Sequence, residues 1–451
     1  MTTEKADDLS GKKAVAGSGV LSVDASFARA KLTPQHFKVG FVLWVAFAVE
    51  AWEMLQLAYI ASGVEAGLQI TAAQLGLVIS SLFFGMIPGA LLWGPIVDRL
   101  GRRASCMWSL GIYGLITLAS SLAPTFELLV AARVAGGFAL VGLFVVVFVY
   151  FEELLPTRHR GTGATLLASG WMLGTVIALA VAGAIGADGW RWVIAIGGLG
   201  SSVWAFVIRA SLPESPCWLV QVGRDDDARA ALRQLRMPEV VCPARQDTPV
   251  QDLKVSAKEL FTGRLLRRSV AQMAISLLLC WAYWGLQSWL PTLLVNRGMT
   301  WSGSLWFVFM NTLFGTVGYL SAAWMTGHFG RKRVFISYLA LAVVNAAIFT
   351  TTETSTCLYI ASCGLAFFSL GAFGVWNAWV PELYPTRVRG QGVSLGIFSQ
   401  RVGTAIAPSV VGVLIATSVS LSATLIIIHA ALIVTLLVAL AVPETEGRNL
   451  S

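Results

Sequence analysis

Glu153-Leu-Leu-Pro-Thr-Arg-His-Arg-Gly161 returns as Glu382-Leu-Tyr-Pro-Thr-Arg-Val-Arg-Gly390, seven of nine residues identical, at an offset of 229 positions. The same offset lays Gly94-Pro-Ile-Val-Asp98-Arg-Leu-Gly-Arg-Arg103 onto Ala323-Trp-Met-Thr-Gly327-His-Phe-Gly-Arg-Lys332. Two unrelated charged motifs that share one offset mean that the chain is two copies of one unit. Between the motifs the sequence is apolar, in runs near 20 residues or longer separated by short polar joints. Each run is long enough to cross ~30 Å of hydrocarbon as a helix. Paired hydrophobic halves imply a carrier that works at the seam between them.

Composition agrees. A mean hydropathy of +0.72 and 12% charged residues lie outside the range of soluble domains. The runs number twelve. Six begin near Val39, Ala73, Ala104, Thr125, Thr162 and Trp192, and six near Ser269, Trp301, Val334, Ser355, Gln391 and Ser420. The expected fold is therefore an all-α membrane protein with twelve transmembrane helices in two pseudo-symmetric six-helix bundles. Its parts are a cytoplasmic tail (1–37), a first bundle (38–211), a cytoplasmic linker (212–267), a second bundle (268–442) and a cytoplasmic C-terminal tail (443–451). The polar start shows no cleavable signal, so the first span is expected to direct insertion. The linker, with Asp225-Asp-Asp227 and scattered Arg, is expected to hold short surface helices.

The net charge of +8 does not point to nucleic acid. With twelve spans and a cytoplasmic N-terminus, Lys and Arg gather at Arg99–Arg103, Arg158–Arg160, 224–268, Arg331–Arg333 and Arg387–Arg389, all on one side. The opposite loops hold only Arg191 and Arg297. This is the positive-inside bias, and it reports topology. The six Cys and four His show no ligand spacing, so neither a metal nor a cofactor is expected. A membrane enzyme would need a nucleophile–base or metal constellation, which the sequence lacks.

The Gly94-x-x-x-Asp98-Arg99-x-Gly101-Arg102-Arg103 loop resembles the signature of the major facilitator superfamily. Glu153-x-x-Pro-Thr-Arg-x-Arg-Gly161, Pro213-Glu-Ser-Pro216 and Pro443-Glu-Thr-Glu-Gly447 resemble motifs of its sugar-porter-like branch. The likeness covers nearly the whole chain. It implies a cytoplasmic latch of ion pairs at helix ends that favours the outward-open state, with Asp98, Arg99, Arg102, Glu153, Arg158, Glu382, Arg387 and Arg331 as candidate members. In the second copy Gly327 replaces the acid and His328 the first Arg, so that latch is expected to be weaker, or to rely on Glu382 with Arg331 and Arg333.

Charges inside the hydrocarbon are costly and therefore candidates for function. There are four: Glu50 and Glu53 in span 1, Arg133 in span 4 and Arg401 in span 11. At 1.5 Å per residue, Glu53 lies roughly 22 Å in from Lys38, Arg133 about 12 Å in from the other side, and Arg401 about 18 Å in from Arg389. All are near mid-depth, and their charges cancel. Glu53 and Arg133 read as a proton-coupling pair, because an acid that gains and loses a basic partner also binds and releases a proton. The resemblance implies the same, since proton-coupled sugar porters carry an acid in span 1 facing an Arg in span 4. A static buried ion pair is the structural alternative. Glu50, one turn earlier, is the alternative proton carrier.

Arg401 lies in Gln400-Arg-Val-Gly-Thr-Ala-Ile-Ala-Pro408, and the position 229 residues earlier is Met172. Asymmetry within a repeat marks what the substrate demands, and an Arg fork matches a carboxylate. Seventeen Trp add aromatic surface away from the membrane interfaces. Span 7 offers Trp281, Tyr283, Trp284 and Gln287. Span 10 offers Trp376 and Asn377, and Trp44, Trp52, Trp171, Phe307 and Asn311 can join them. Taken singly each reads as packing; with Arg401 they describe a box for a small flat carboxylate.

Glu50-Ala-Trp-Glu53 and Tyr283-Trp-Gly-Leu-Gln-Ser-Trp-Leu-Pro291 resemble the bacterial branch near the synaptic-vesicle-protein-2-like and niacin transporters. The interval Gly63–Ala72 is far shorter than the first loop of the mammalian organic-ion carriers. The resemblance implies a bacterial inner-membrane carrier, a monomer in the lipid bilayer, importing a small organic acid with a proton, with nicotinate as the leading substrate. Rival readings are an organic-cation or drug exporter, a sugar porter, and a non-transporting receptor. An exporter of cations would favour an uncompensated acid over Arg401. A sugar porter would carry a Gln-rich span 7, where here only Gln287 stands. A receptor would carry long signalling tails.

Overall fold

The computed structural model describes residues 20–21, 23–242, 257–352, 354–385 and 388–444. The first half contains span 1 (Pro34–Tyr59), span 2 (Ala72–Leu100), span 3 (Arg102–Ser120), span 4 (Phe126–Glu152), span 5 (Arg160–Ala168 continued by Gly170–Ile185) and span 6 (Trp190–Ser211). The second contains span 7 (Gly263–Gln287), span 8 (Trp301–Phe329), span 9 (Arg331–Thr351), span 10 (Ser355–Trp379), span 11 (Arg389–Ala416) and span 12 (Leu421–Leu440). Eleven of these are long and apolar enough to cross a membrane. Span 3 is the twelfth, its apolar run shortened by Arg102 and Arg103 and diluted by Ser and Gly.

Several helices start before the apolar run. Spans 3, 9 and 11 begin at charged-loop residues, because a polar first turn outside the hydrocarbon still completes the backbone hydrogen bonds that the membrane requires. The interval after span 1 is not an open loop: Ala61–Leu68 is helical, and Gln69, in the left-handed region at φ 53°, ends it. Span 7 breaks after Gln287 and resumes as Leu290–Asn296 with Pro291 in its first turn.

The segment expected as a polar tail is partly packed. Val23–Arg29 is a short helix whose Phe27 is buried under the Arg160 guanidinium, 5.3 Å from the ring centroid. Val20 and Leu21 pair antiparallel with Cys242 and Val241 of the linker. The linker itself carries Pro216–Gln221 and Asp225–Gln234, the latter with its three Asp in the first turn, where the helix dipole favours them.

The halves meet at the ends opposite the charged loops. Gly76 of span 2 lies so close to span 11 that a Cβ there would sit 2.6 Å from the Pro408 carbonyl and 3.1 Å from Gly412 Cα. The Ser409 backbone N–H donates to Ser80 Oγ at 2.9 Å across the same contact. Small residues permit this approach, and van der Waals packing holds it. At the charged-loop ends, Gly94 of span 2 and Gly390 of span 11 face open space, and the Asp98 side chain is 76% exposed. The seam is tightly packed at one end and looser at the other.

Candidate functional site

The four intramembrane charges are all buried, but they sort differently from the depth reckoning. Glu53 is held by its own half. Tyr113 Oη donates to its Oε2 at 2.7 Å, Ser201 Oγ to its Oε1 at 3.0 Å, and Gln56 Nε2 to Oε2 as well. Trp52 Nε1 donates to Gln56 Oε1 at 3.0 Å, which fixes the amide. A Cβ at Gly197 would meet Glu53 Oε1 at 2.6 Å, so span 6 seals the cage. Arg133 stands within electrostatic reach of Glu53. Its Nε, however, donates to the Val78 carbonyl at 3.2 Å, and no ion pair joins the two among the described residues.

Arg401 is held by the opposite half. It is 7% exposed, its guanidinium carbon lies 4.2 Å from the centroid of Phe144 in span 4, and its Nη1 is 3.8 Å from Met86 Sδ in span 2. Cation–π attraction and a soft sulfur contact hold the charge without neutralising it. Among the described residues it has no oxygen acceptor. The acid within its electrostatic reach is Glu50. Glu50 is 0% exposed, and among the described residues neither carboxylate oxygen has a hydrogen-bond partner.

An aromatic cluster adjoins Arg401. Trp284 of span 7 contacts Phe83 of span 2 (centroids 4.8 Å, 59°) and Trp171 of span 5 (6.3 Å, 81°), both in the first half, and its neighbour Tyr283 (5.6 Å, 89°). Phe47 continues the row, 6.1 Å from Trp171 and 5.1 Å from Phe148. Phe83 stands one turn from Met86 and Trp284 one turn from Cys280, so the rings and the guanidinium occupy adjacent turns of the seam. Phe47, Phe83, Met86, Phe144 and Phe148 were not singled out from the sequence. They sit in unbroken apolar runs, where a ring at a site and a ring in a core look alike.

Tyr283, Gln287 and Asn311 face a different space. With Ser362, Phe373 and His429 they line a small cavity of about 40 Å³ inside the second half. Asn311 Nδ2 donates to Phe307 O at 3.0 Å, and its Oδ1 accepts from Ser362 Oγ at 2.8 Å. Trp376 lines neither space. It is 0% exposed, donates from Nε1 to Ser276 Oγ at 2.9 Å, and lies against Phe335 and Trp379 in the core of the second half. Trp281 also packs on that core. Asn377 is exposed and accepts from Gln400 Nε2 at 3.0 Å, and Trp44 Nε1 donates to Ser169 Oγ at 3.0 Å. Helical spacing gives the phase of a side chain on its own helix, not the neighbour that it meets.

The charged loops form paired clusters. Arg102 Nε meets Glu153 Oε2 at 3.0 Å, with Asp98 at 3.6 Å from Nη1, and Ser215 Oγ donates to the same Glu153 oxygen at 2.5 Å. In the second half Arg331 meets Glu382 at 3.0 Å. Arg99, Arg158 and Arg333 are exposed, and Arg387 lies outside the described residues. The sequence reading gave no role to Glu214, yet its Oε1 accepts the backbone N–H groups of Arg102 (2.8 Å) and Arg103 (2.9 Å).

A family profile described as sugar (and other) transporter matches residues 33–451. The niacin transporter NiaP of Acinetobacter baylyi is 31% identical over 380 residues, covering 83% of this chain and 86% of that protein. A putative niacin/nicotinamide transporter of Bacillus subtilis is 27% identical, covering 75% and 78%. The partially occluded inward-open structure of the xylose transporter XylE from E. coli superposes with a TM-score of 0.73 at 16% identity, over 92% of this chain and 100% of that one. That likeness shows the twelve-helix fold. With the family profile spanning both halves and every one of the twelve spans, the chain belongs to the sugar (and other) transporter family of the major facilitator superfamily, a membrane transporter and not an enzyme.

Proposed function

We propose that the protein imports a small aromatic carboxylate, nicotinate first among them, together with a proton, by alternating access. The observation that carries this reading is Arg401, a buried guanidinium at the seam with an aromatic ring 4.2 Å from it and, among the described residues, no oxygen acceptor. A carboxylate supplies the missing acceptor through two parallel N–H···O bonds. The adjoining Trp284, Phe83 and Trp171 offer flat faces for a ring. The niacin transporters among the relatives favour nicotinate over other acids. An organic cation would meet a guanidinium at this point, which disfavours that rival.

The membrane is the bacterial inner membrane, and the Arg-rich loops lie on its cytoplasmic side. The looser end of the seam then faces the cytoplasm, and the protein works as a monomer. Entry of one anion with one proton is electroneutral. The test is uptake of radiolabelled nicotinate into proteoliposomes, with and without an inward proton gradient, for wild type and Arg401→Ala. Gradient-stimulated uptake that R401A abolishes supports the reading. Uptake that ignores the gradient removes symport, and uptake that survives R401A removes the anion site.

A further inference from the structure

Two acids stand one turn apart in span 1, and their surroundings are opposite. Glu53 has three side-chain donors, all from its own half, and a rocking motion between halves leaves these bonds in place. Glu50 has no donor among the described residues, and the cation within its electrostatic reach, Arg401, belongs to the other half. Arg401 in turn rests on Phe144 and Met86 of the first half, so relative motion of the bundles moves it directly against Glu50.

We propose that Glu50, and not Glu53, carries the coupled proton, by competing with the substrate carboxylate for Arg401. The inference rests on the carboxylate-transport reading above. One guanidinium in a dehydrated seam compensates one carboxylate; a second negative charge beside it would be buried and unpaired, at several kcal/mol. Binding of the substrate anion to Arg401 therefore requires that Glu50 take a proton from water, forming one O–H bond and losing its charge. On release, Glu50 returns the proton to the side that received the substrate and becomes the partner of Arg401 again. One proton moves with one anion, and no charge is left over.

The other groups around Glu50 do not compensate it. Cys106 of span 3 is within its electrostatic reach, is buried, and brings no positive charge. Cys280 of span 7 lies beside Arg401 and brings no positive charge. Glu53, on its own span, is of like sign, and Arg133 faces Glu53. Among the described residues Arg401 is the cation that these neighbours leave to Glu50.

The experiment measures proton uptake when nicotinate or benzoate binds to the purified transporter in weakly buffered detergent solution. Wild type is expected to take up about one proton per anion bound, and its apparent affinity to fall about tenfold per pH unit at alkaline pH. E50Q is expected to bind the anion with no proton uptake and a flat pH profile, while E53Q still takes up the proton. Proton uptake that persists in E50Q, or disappears in E53Q alone, overturns the assignment. A wild-type measurement guards against misfolded variants. Carbodiimide labels protonated carboxyls, so bound nicotinate is expected to raise labelling of Glu50 in mapped peptides. Labelling that stays unchanged, or that rises at Glu53 instead, overturns it equally. Binding without proton uptake leaves the transport reading and removes this inference. No binding by any carboxylate removes both.

Discussion

Glu214 and Glu444 hold equivalent posts in the two halves. Glu214 follows span 6 and accepts the backbone N–H groups of Arg102 and Arg103 at the first turn of span 3; Glu444 follows span 12 and accepts that of Lys332 at the first turn of span 9, at 3.2 Å. The basic side chains beside them reach back in the same way, Arg103 to the Leu212 carbonyl and Lys332 to that of Leu440. In each half the last span is tied to the third by an acid on a helix N-terminus, where orphan N–H groups and the dipole both favour negative charge. Glu214→Ala is expected to destabilise the protein by ~1–2 kcal/mol, the cost of a lost charged cap. Thermal unfolding in detergent checks this, and a melting temperature equal to wild type would remove the cap from the account.

The Arg102–Glu153 pair is the core of the first charged loop. Both side chains are largely buried, and Ser215 bonds to the same acid. Glu153→Gln leaves the Arg102 charge without its main partner, so a loss of ~2–4 kcal/mol is expected, beyond what an exposed pair would give. The double variant Arg102→Glu/Glu153→Arg is expected to recover part of that loss. Denaturation of the two proteins side by side measures it; equal stability of E153Q and wild type would mark the pair as decorative.

At the tightly packed end of the seam, Gly76 and Gly412 leave no room for side chains. A Cβ at Gly412 would lie 2.6 Å from the Ala72 carbonyl and 3.0 Å from Gly76 Cα. Gly412→Val therefore has to part spans 2 and 11 at this end. The expected outcome is loss of most uptake, and faster labelling of a cysteine placed at Ser80 than in a Gly412-intact background. Slow labelling of that cysteine with uptake intact would show that the contact tolerates bulk.

Trp284 and Trp376 looked alike as sequence and differ as structure. Trp284 touches rings of the other half, whereas Trp376 is locked to Ser276 inside its own. Trp284→Ala is expected to weaken nicotinate binding roughly 10- to 100-fold, the range of a buried aromatic anchor. Trp376→Phe is expected to cost about 1 kcal/mol of stability through the lost hydrogen bond, with the Michaelis constant for uptake unmoved. Titration calorimetry and transport kinetics on both variants separate the two roles.

The pattern in these cases says what a sequence can carry. The 229-residue offset, the apolar run lengths and the side preference of Lys and Arg are properties of one chain read along itself, and they give the halves, the spans and the charged loops. That charged residues fall inside apolar runs is also legible, and all four of these charges are buried in the fold. Partnership is not legible. Glu50 and Glu53 share a helix face and a depth, yet Tyr113 and Ser201 enclose one while Arg401 approaches the other from more than 300 residues away. Tyr113 and Ser201 are ordinary residues in their spans, and only the packing of spans 3 and 6 against span 1 gives them a carboxylate to bind.

Arg401 is best tested by a substitution that keeps its charge. Its guanidinium carbon lies 4.2 Å from the Phe144 ring centroid, and an arginine fork offers two N–H groups in one plane. A Lys at this position retains a positive charge opposite Glu50 but presents a single point donor on a flexible stem. If the site demanded only charge, Arg401→Lys would transport normally. If it demands the fork and the contact with the ring, R401K is expected to lose roughly 10- to 100-fold in affinity for nicotinate, the value of one bidentate charged contact. Phe144→Leu provides the complementary arm. It keeps the fork and removes the ring beneath it, so a smaller loss of about 0.5–2 kcal/mol is expected from the cation–π contact alone. Equilibrium binding of nicotinate to the two variants ranks the contributions. A larger loss in F144L than in R401K would mean that the ring serves the substrate and not the arginine.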